Sequence, residues 1–384
     1  MHYSPHTVRY PVKLKKIAAL GAAVGLVLSG IGLASTASAE PVSNSYVAVG
    51  SDTLQDAMNA LTNGTNASGS YVRILADGQT IGNFDAFGSP AIQTKSGGPF
   101  FARPNGSSAG RDALRRSIDG ANWSASGNTT PARPITGQVD IARSSSGAGT
   151  NANAEGRLLY VPFGRDAVAY AYKGGNAEWA NLTATQLKGI YEGTITSVGG
   201  ATIKPRLPQT SSGTRSFFLG AIGVTNPSGV ADASNTTVPE NDATILGDGE
   251  IIPFSAANWV AQSNNVASVN TIAASTGVSL GSPVSGAVPF TGTAPSLVPN
   301  AAFYSNTTFG RDTYLIVQRA RVQSSFTYTG APSYDPVLAN LVNSASITSL
   351  TSFSLSPLAA GSVKRKFGFL APSSTTPVAA YAQG

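Results

Sequence analysis

Three short runs of Gly, Ser and Thr stand directly before helix-patterned segments: Gly50-Ser51-Asp52-Thr53, Gly106-Ser107-Ser108-Ala109-Gly110 and Ser211-Ser212-Gly213-Thr214. A helix N-terminus leaves backbone N–H groups unpaired and carries about half a positive charge. Hydroxyls add donors there, and glycine lets an anion come close to the backbone. Three such ends brought together can cradle a small oxyanion. Taken singly, each is more often an ordinary N-cap, a position that Ser, Thr and Asp also favour.

The second run also spells G-x-S-x-G, with Ser108 at its centre, the pattern of a nucleophile elbow. A serine nucleophile needs a base. The only two histidines, His2 and His6, lie ahead of an apolar leader, and the chain has no cysteine. A serine or cysteine triad therefore lacks its partner, zinc and copper sites lack their usual donors, and no disulfide framework exists. No lysine after the leader sits three places after a serine, so a serine–lysine pair is absent too. Asp52, Asp85, Asp140, Asp166, Glu240 and Asp242 leave carboxylate acid–base chemistry formally open, but their spacing does not favour it. P-loop and dinucleotide fingerprints are missing. The expectation is a binding protein, not an enzyme, with no cofactor and no metal.

Arg9, Lys13, Lys15 and Lys16 precede an apolar, small-residue run from Ile17 to Leu33 and then Ala37-Ser38-Ala39. That is the layout of a cleaved signal peptide, with the cut after Ala39, and it predicts an exported, periplasmic, cell-surface or secreted protein. The first 39 residues hold four of the 25 Lys and Arg and none of the 19 Asp and Glu, so the formal charge falls from +6 to +2. Only Arg115-Arg116 and Lys364-Arg365-Lys366 remain as basic clusters, and both read as solvated surface. A nucleic-acid partner has no support.

The elements that would carry the three runs alternate. Apolar, β-branched stretches at Tyr46–Val49, Val72–Leu75, Val139–Ala142, Leu158–Phe163, Val168–Tyr172, Ile251–Phe254 and Tyr314–Val317 predict strands, several of them short, buried and parallel. Helical patterns follow at Leu54–Leu61, Ala109–Ile118, Ala184–Tyr191 and Arg215–Ile222. Strand then helix, repeated, predicts an α/β architecture. Residues 225–250 and 275–312 read as long surface connections.

At these same residues the sequence resembles a known family. Leu182-Thr183, Gln186-Leu187, Ile190, Gly193 and Ile195, followed by Ile203–Arg206 and Ser212-Gly213-Thr214, are similar to the middle of the phosphate-binding proteins of ABC importers. Upstream, Val49–Thr53 resembles that family's first glycine-rich loop, Asn105–Gly110 its GSSGG loop, and Val139–Ser145 its VDFGASD strand end. The resemblance spans about 45 to 220, with a weaker match near 313–318. It implies a two-lobed type II periplasmic-binding-protein fold with two crossover segments: 1–39 signal peptide, 40–162 with 311–384 as lobe 1, and 163–310 as lobe 2. The crossovers and their hinges would lie near 162–168 and 310–314.

The resemblance further implies that Thr53, the Leu54 amide, Ser107, Arg206, Ser212, Gly213 and Thr214 hold phosphate or a related tetrahedral oxyanion, with Ser108 and Ser145 beside them. The partners implied are that anion and the permease subunits of an ABC importer, with the protein itself a monomer. Two departures stand out. Ser145 occupies the place of the family aspartate that accepts the proton of hydrogen phosphate, which would suit a fully ionised anion such as sulfate or leave Asp52 as acceptor. The gap from Arg206 to Ser212 is two residues longer than in the family, making Arg215 an alternative ligand. Arg143, Arg111 and Arg165 are expected in surface or interlobe salt bridges. An alternative reading is a secreted structural or interaction protein that keeps the fold without a transport role, since no cysteine is present to carry a lipid anchor.

Overall fold

The computed structural model describes Met1, Ser43 and residues 45–382. The expected signal peptide falls almost wholly outside the described residues. A nine-stranded mixed sheet organises the rest. Its strands are β1 (Val47–Gly50), β2 (Gly82–Asn83), β3 (Ile141–Ser144), β4 (Leu158–Lys173), β5 (Lys204–Pro205), β6 (Glu250–Ser255), β7 (Val278–Gly281), β8 (Gly310–Gln318) and β9 (Val378–Ala380). The path runs β5-β6-β4-β8-β3-β1-β2, and β7 and β9 pair with β4. Only β1–β2, β1–β3 and β5–β6 are parallel among the pairs of this sheet.

β4 carries the architecture. Its first half, from Leu158 to Ala167, pairs with β8 and β9, and its second half, from Val168 to Lys173, pairs with β6 and β7. The two strands expected at 158–163 and 168–172 are thus one strand, because Gly164, Arg165 and Asp166 stay extended and paired with β8 between them. The segments expected as crossovers lie within these two paired strands, and the register slips between Thr313 and Tyr314.

Side chains alternate across the sheet as strand geometry requires. Ala48, Ile141, Leu159, Val161, Leu315 and Val317 enter one buried cluster, and Val47, Val49, Ala142, Leu158, Tyr160 and Ile316 enter another. In the second half Val168, Tyr170 and Ile251 face one cluster, while Ala171, Ile252 and Phe254 face a different one. Both faces are covered, which is why the strands read as continuous apolar runs.

Four helices lie where the patterns put them, α1 (Gln55–Asn63), α2 (Ser107–Asp119), α3 (Ala184–Tyr191) and α4 (Gly213–Ala221), and a further one, α5 (Ala256–Ser263), follows β6 where no helix was expected. Ala57, Met58 and Leu61 of α1 are buried on one face, and Thr183 with Gln186 closes a capping box on α3. Three expectations need correction. Val72–Leu75 is no strand: Val72 makes only a bridge to Thr65, because the segment turns back on α1. The connections at 225–250 and 275–312 contain a 3-10 turn (Ala243–Ile245), β7 and a short helix at Ala301–Tyr304. Lys364, expected on the solvated surface, is fully buried, with Nζ donating to Phe163 O at 2.6 Å and Leu350 O at 3.1 Å and lying over the Phe163 ring. Burial pushes its ammonium well below the usual lysine range.

Candidate functional site

The three Gly/Ser/Thr runs converge. Ser212 caps α4, accepting from the Arg215 N–H at 3.0 Å, and this places Gly213 and Thr214 in the first turn. Thr214 Oγ1 lies 3.2 Å from Thr53 Oγ1, in the one-turn 3-10 segment Asp52–Leu54 that opens α1. Ser107, the first residue of α2, has its Oγ 3.2 Å from Ser145 Oγ and accepts from the Ser145 N–H at 2.9 Å. Two hydroxyl pairs therefore meet at the start of α4. A Cβ on Gly213 would lie 2.3 Å from Ser107 Oγ and 2.5 Å from Ser145 Oγ, so only glycine admits them. Gly106 permits a second close approach: its φ is +154°, and a Cβ there would meet Ser211 O at 2.4 Å.

The guanidinium at this cluster is that of Arg311 in β8. Its Nη2 donates to Thr214 Oγ1 at 2.9 Å and reaches Thr53 Oγ1 at 3.4 Å. Asp166 of β4 holds it, Oδ2 accepting from Nη2 at 2.8 Å and from Nε at 3.1 Å. Asp166 is itself fixed through Oδ1 by Ser255 Oγ at 2.9 Å and the Ala257 N–H at 3.0 Å, at the start of α5. The side chains of Arg311 and Asp166 are 2% and 0% exposed, yet Arg311 Nη1 has no hydrogen-bond partner. Asn258 of α5 completes the enclosure by donating to Thr53 O at 2.9 Å.

Thr53, Ser107, Ser145, Ser212, Gly213 and Thr214 are thus brought together and buried. Leu54 follows Thr53 with its side chain in the core. Ser108 stands at the margin and donates to Ser211 O at 3.2 Å. Asp52 sits on the opposite margin, accepting from Asn241 Nδ2 at 3.2 Å. Burial, then the charges of Glu240 and Asp56, hold its carboxyl well above the usual carboxylate range, against the Asn241 bond and Arg143.

Arg206 is not brought to the cluster. It follows β5 at the sheet edge, where Nη1 pairs with Glu250 at 3.2 Å and donates to Ile245 O at 2.6 Å. Arg215 points elsewhere as well, donating to Pro208 O at 3.0 Å. Sequence reasoning missed Arg311 as a ligand candidate; its signal was a cation in the return strand just where a crossover was expected. Arg143 is a correction. It makes no ion pair among the described residues and is wholly buried, donating to Ser51 O at 3.0 Å, Gly50 O at 3.2 Å, Ala48 O at 3.3 Å, Phe84 O at 2.9 Å and Asn83 Oδ1. Desolvation pushes it down to about 10. Arg111 pairs with its neighbour Asp112, and Arg165 with Asp312 across β4 and β8.

Chemically the cluster is a set of buried donors at three helix starts with one guanidinium, suited to an oxyanion and poor in acceptors. Among the described residues no group of His, Asp or Glu could hold a metal ion, and no helix is long and apolar enough to cross a membrane.

A family model described as a PBP superfamily domain matches residues 35–331. The fold is similar to that of an ABC-type phosphate transport receptor from Vibrio cholerae, at 18% identity and a TM-score of 0.48 over 85% of this chain and 100% of that one. It is also similar to a substrate-binding protein of a phosphate ABC transporter with bound phosphate from Clostridium perfringens, at 16% identity and 0.43 over 73% and 89%. A human phosphate-binding apolipoprotein is a further likeness, at 16% identity and 0.42 over 86% and 92%. No curated protein sequence matches.

Proposed function

From the premise that the chain belongs to the PBP superfamily, we propose that it is an exported solute-binding protein that captures phosphate or a related tetrahedral oxyanion. Capture takes place between a lobe of residues 40–162 with 311–384 and a lobe of residues 163–310, and the cargo passes to the permease subunits of an ABC importer. The protein works as a monomer and performs no reaction.

The observation that carries this reading is the convergence of Thr53, Ser107, Ser145, Thr214 and Arg311 with Arg311 Nη1 left unpartnered in a buried site. A buried donor without an acceptor costs about 1–3 kcal/mol, and an anion between the helix starts removes that cost. Asp166 already balances the Arg311 charge. Affinity then comes mainly from helix-end N–H groups and hydroxyls, which bind an anion without needing net positive charge. The absence of cysteine favours a second reading, a secreted interaction protein of the same fold released from the cell surface. Fractionating cells and culture medium separates the two.

Titration calorimetry with inorganic phosphate, sulfate and a neutral sugar tests the main reading. The wild type binds at least one of the anions and not the sugar. Ser107→Ala and Thr214→Ala each weaken anion binding about tenfold or more, the worth of a hydrogen bond to a charged group. Absence of anion binding, or variants that bind like wild type, overturns it.

A further inference from the structure

Asn105, two residues before Ser107, is bonded to two separate segments across the site. Its Oδ1 accepts from Ser211 Oγ at 2.8 Å, and its Nδ2 donates to Thr236 O at 3.1 Å. Its main-chain oxygen accepts from Gln209 Nε2 at 2.5 Å and again from Ser211 Oγ at 3.0 Å. A side-chain amide supplies acceptor and donor together; a carboxylate in its place would have no proton for Thr236 O. Three residues on, the Ser108 N–H and Oγ donate to Ser211 O at 3.3 and 3.2 Å. Gly106, between them, has no side chain to hold Ser211 O away. These bonds tie the start of α2 to the residues that lead into α4, and none of them uses the hydroxyls of Ser107, Ser212 or Thr214 or the Arg311 guanidinium. Asn105 is half-buried and lines a cavity of about 180 Å³ with Arg103, Asn128 and Thr236, whereas Ser107 is 3% exposed. The ties therefore stand on the solvent side of the hydroxyl cluster. The opposite margin is held by single bonds, Asn241 to Asp52 and Ser268 to Asp56.

We propose that Asn105 is a positioning residue that clasps the two lobes together with or without an anion, and so sets how long a captured anion is held. The inference rests on the two-lobe reading above. An anion between the starts of α2 and α4 leaves only when those helix starts move apart, and that movement breaks the Asn105 bonds. The clasp therefore adds to the barrier to release. It gives no help to association, because an anion enters only while the lobes are apart. Two hydrogen bonds at the lower end of the ordinary range, as befits a half-buried side chain, correspond to about a tenfold change in the release rate.

Rapid filtration of the full chain, loaded with labelled inorganic phosphate and chased with unlabelled phosphate, reads release directly. Asn105→Ala is expected to release phosphate about tenfold faster and to bind it no more slowly than wild type. Unchanged release, or slower binding, overturns the proposal. Ser211→Ala removes the Ser211–Asn105 bond from the other side, so the double variant should fall short of the product of the two single effects. A full product overturns the clasp. Amide hydrogen exchange of the ligand-free chain gives a readout that needs no binding. The Ser108 N–H is bonded to Ser211 O across the clasp, and the Gly110 N–H to Gly106 O on its own side. Asn105→Ala should speed exchange at Ser108 and leave Gly110 near its wild-type rate. That result supports the clasp even where phosphate fails to bind and the transport reading falls. Unchanged exchange at Ser108, or equal acceleration at both amides, overturns it.

Discussion

Two buried arginines, one bonded to Ser51 and the other to Thr53 of the same loop, do opposite work. Arg143 grips the loop between β1 and α1 from below, and its Nε, Nη1 and Nη2 all have partners, four of them backbone carbonyls. Arg311 reaches the other side of the same loop at Thr53, is tied to Asp166, and keeps Nη1 unpartnered. Burial and charge are alike, so neither identifies a ligand site. What separates them is the donor count: every donor nitrogen of Arg143 is spent on the protein, whereas Arg311 keeps one free beside the Thr53–Thr214 hydroxyls, as the proposed anion site requires.

The strongest way to break that distinction is Arg143→Met. It orphans several buried carbonyls at once and is expected to cost about 3–6 kcal/mol of stability, read from the shift of the urea midpoint. A loss below about 1 kcal/mol would make the loop independent of its brace. Arg311→Lys sharpens the contrast from the other side. It retains a charge opposite Asp166 but gives up the free donor, so the urea midpoint moves less than for Arg143→Met while anion affinity falls about 10- to 100-fold by calorimetry. Unchanged affinity would remove Arg311 from the receptor. The smallest expected effect concerns Lys364, a third buried cation with its ammonium on two carbonyls. Its pKa is lowered in the folded chain, so the unfolded chain binds more protons, and stability rises with pH from the folded value up to about 10.4. Between pH 8.5 and 9.5 wild type should gain up to about 1.4 kcal/mol relative to Lys364→Met in chemical denaturation. Parallel curves for the two proteins would show that Lys364 is charged when folded.

How much of this was legible beforehand differs by the range of the interaction. The helix starts were readable because capping is local: Ser212, Thr183 and the glycines at 106 and 213 announce themselves within four residues. Ser107, Thr53 and Thr214 followed from the same signal. Arg311 was not readable, because what brings it to Thr53, 258 residues away in sequence, is a strand pairing that leaves no local trace. Arg206 was the choice the family resemblance implied, and its ion pair with Glu250 at the sheet edge takes it away. Lys364 misled for a related reason: three consecutive cations read as surface, yet a helix turns its neighbours to different sides, and one of them enters the core.

The long strand β4 has a consequence for how the chain reaches this state. Its partners come from 250–255, 278–281, 310–318 and finally 378–380. Few of its hydrogen bonds are local, so the middle of the sheet cannot be completed until nearly the last residue is available, and such non-local pairing makes for slow folding. Under the proposed export, a sheet that waits for its C-terminus would keep the chain threadable while it crosses a membrane.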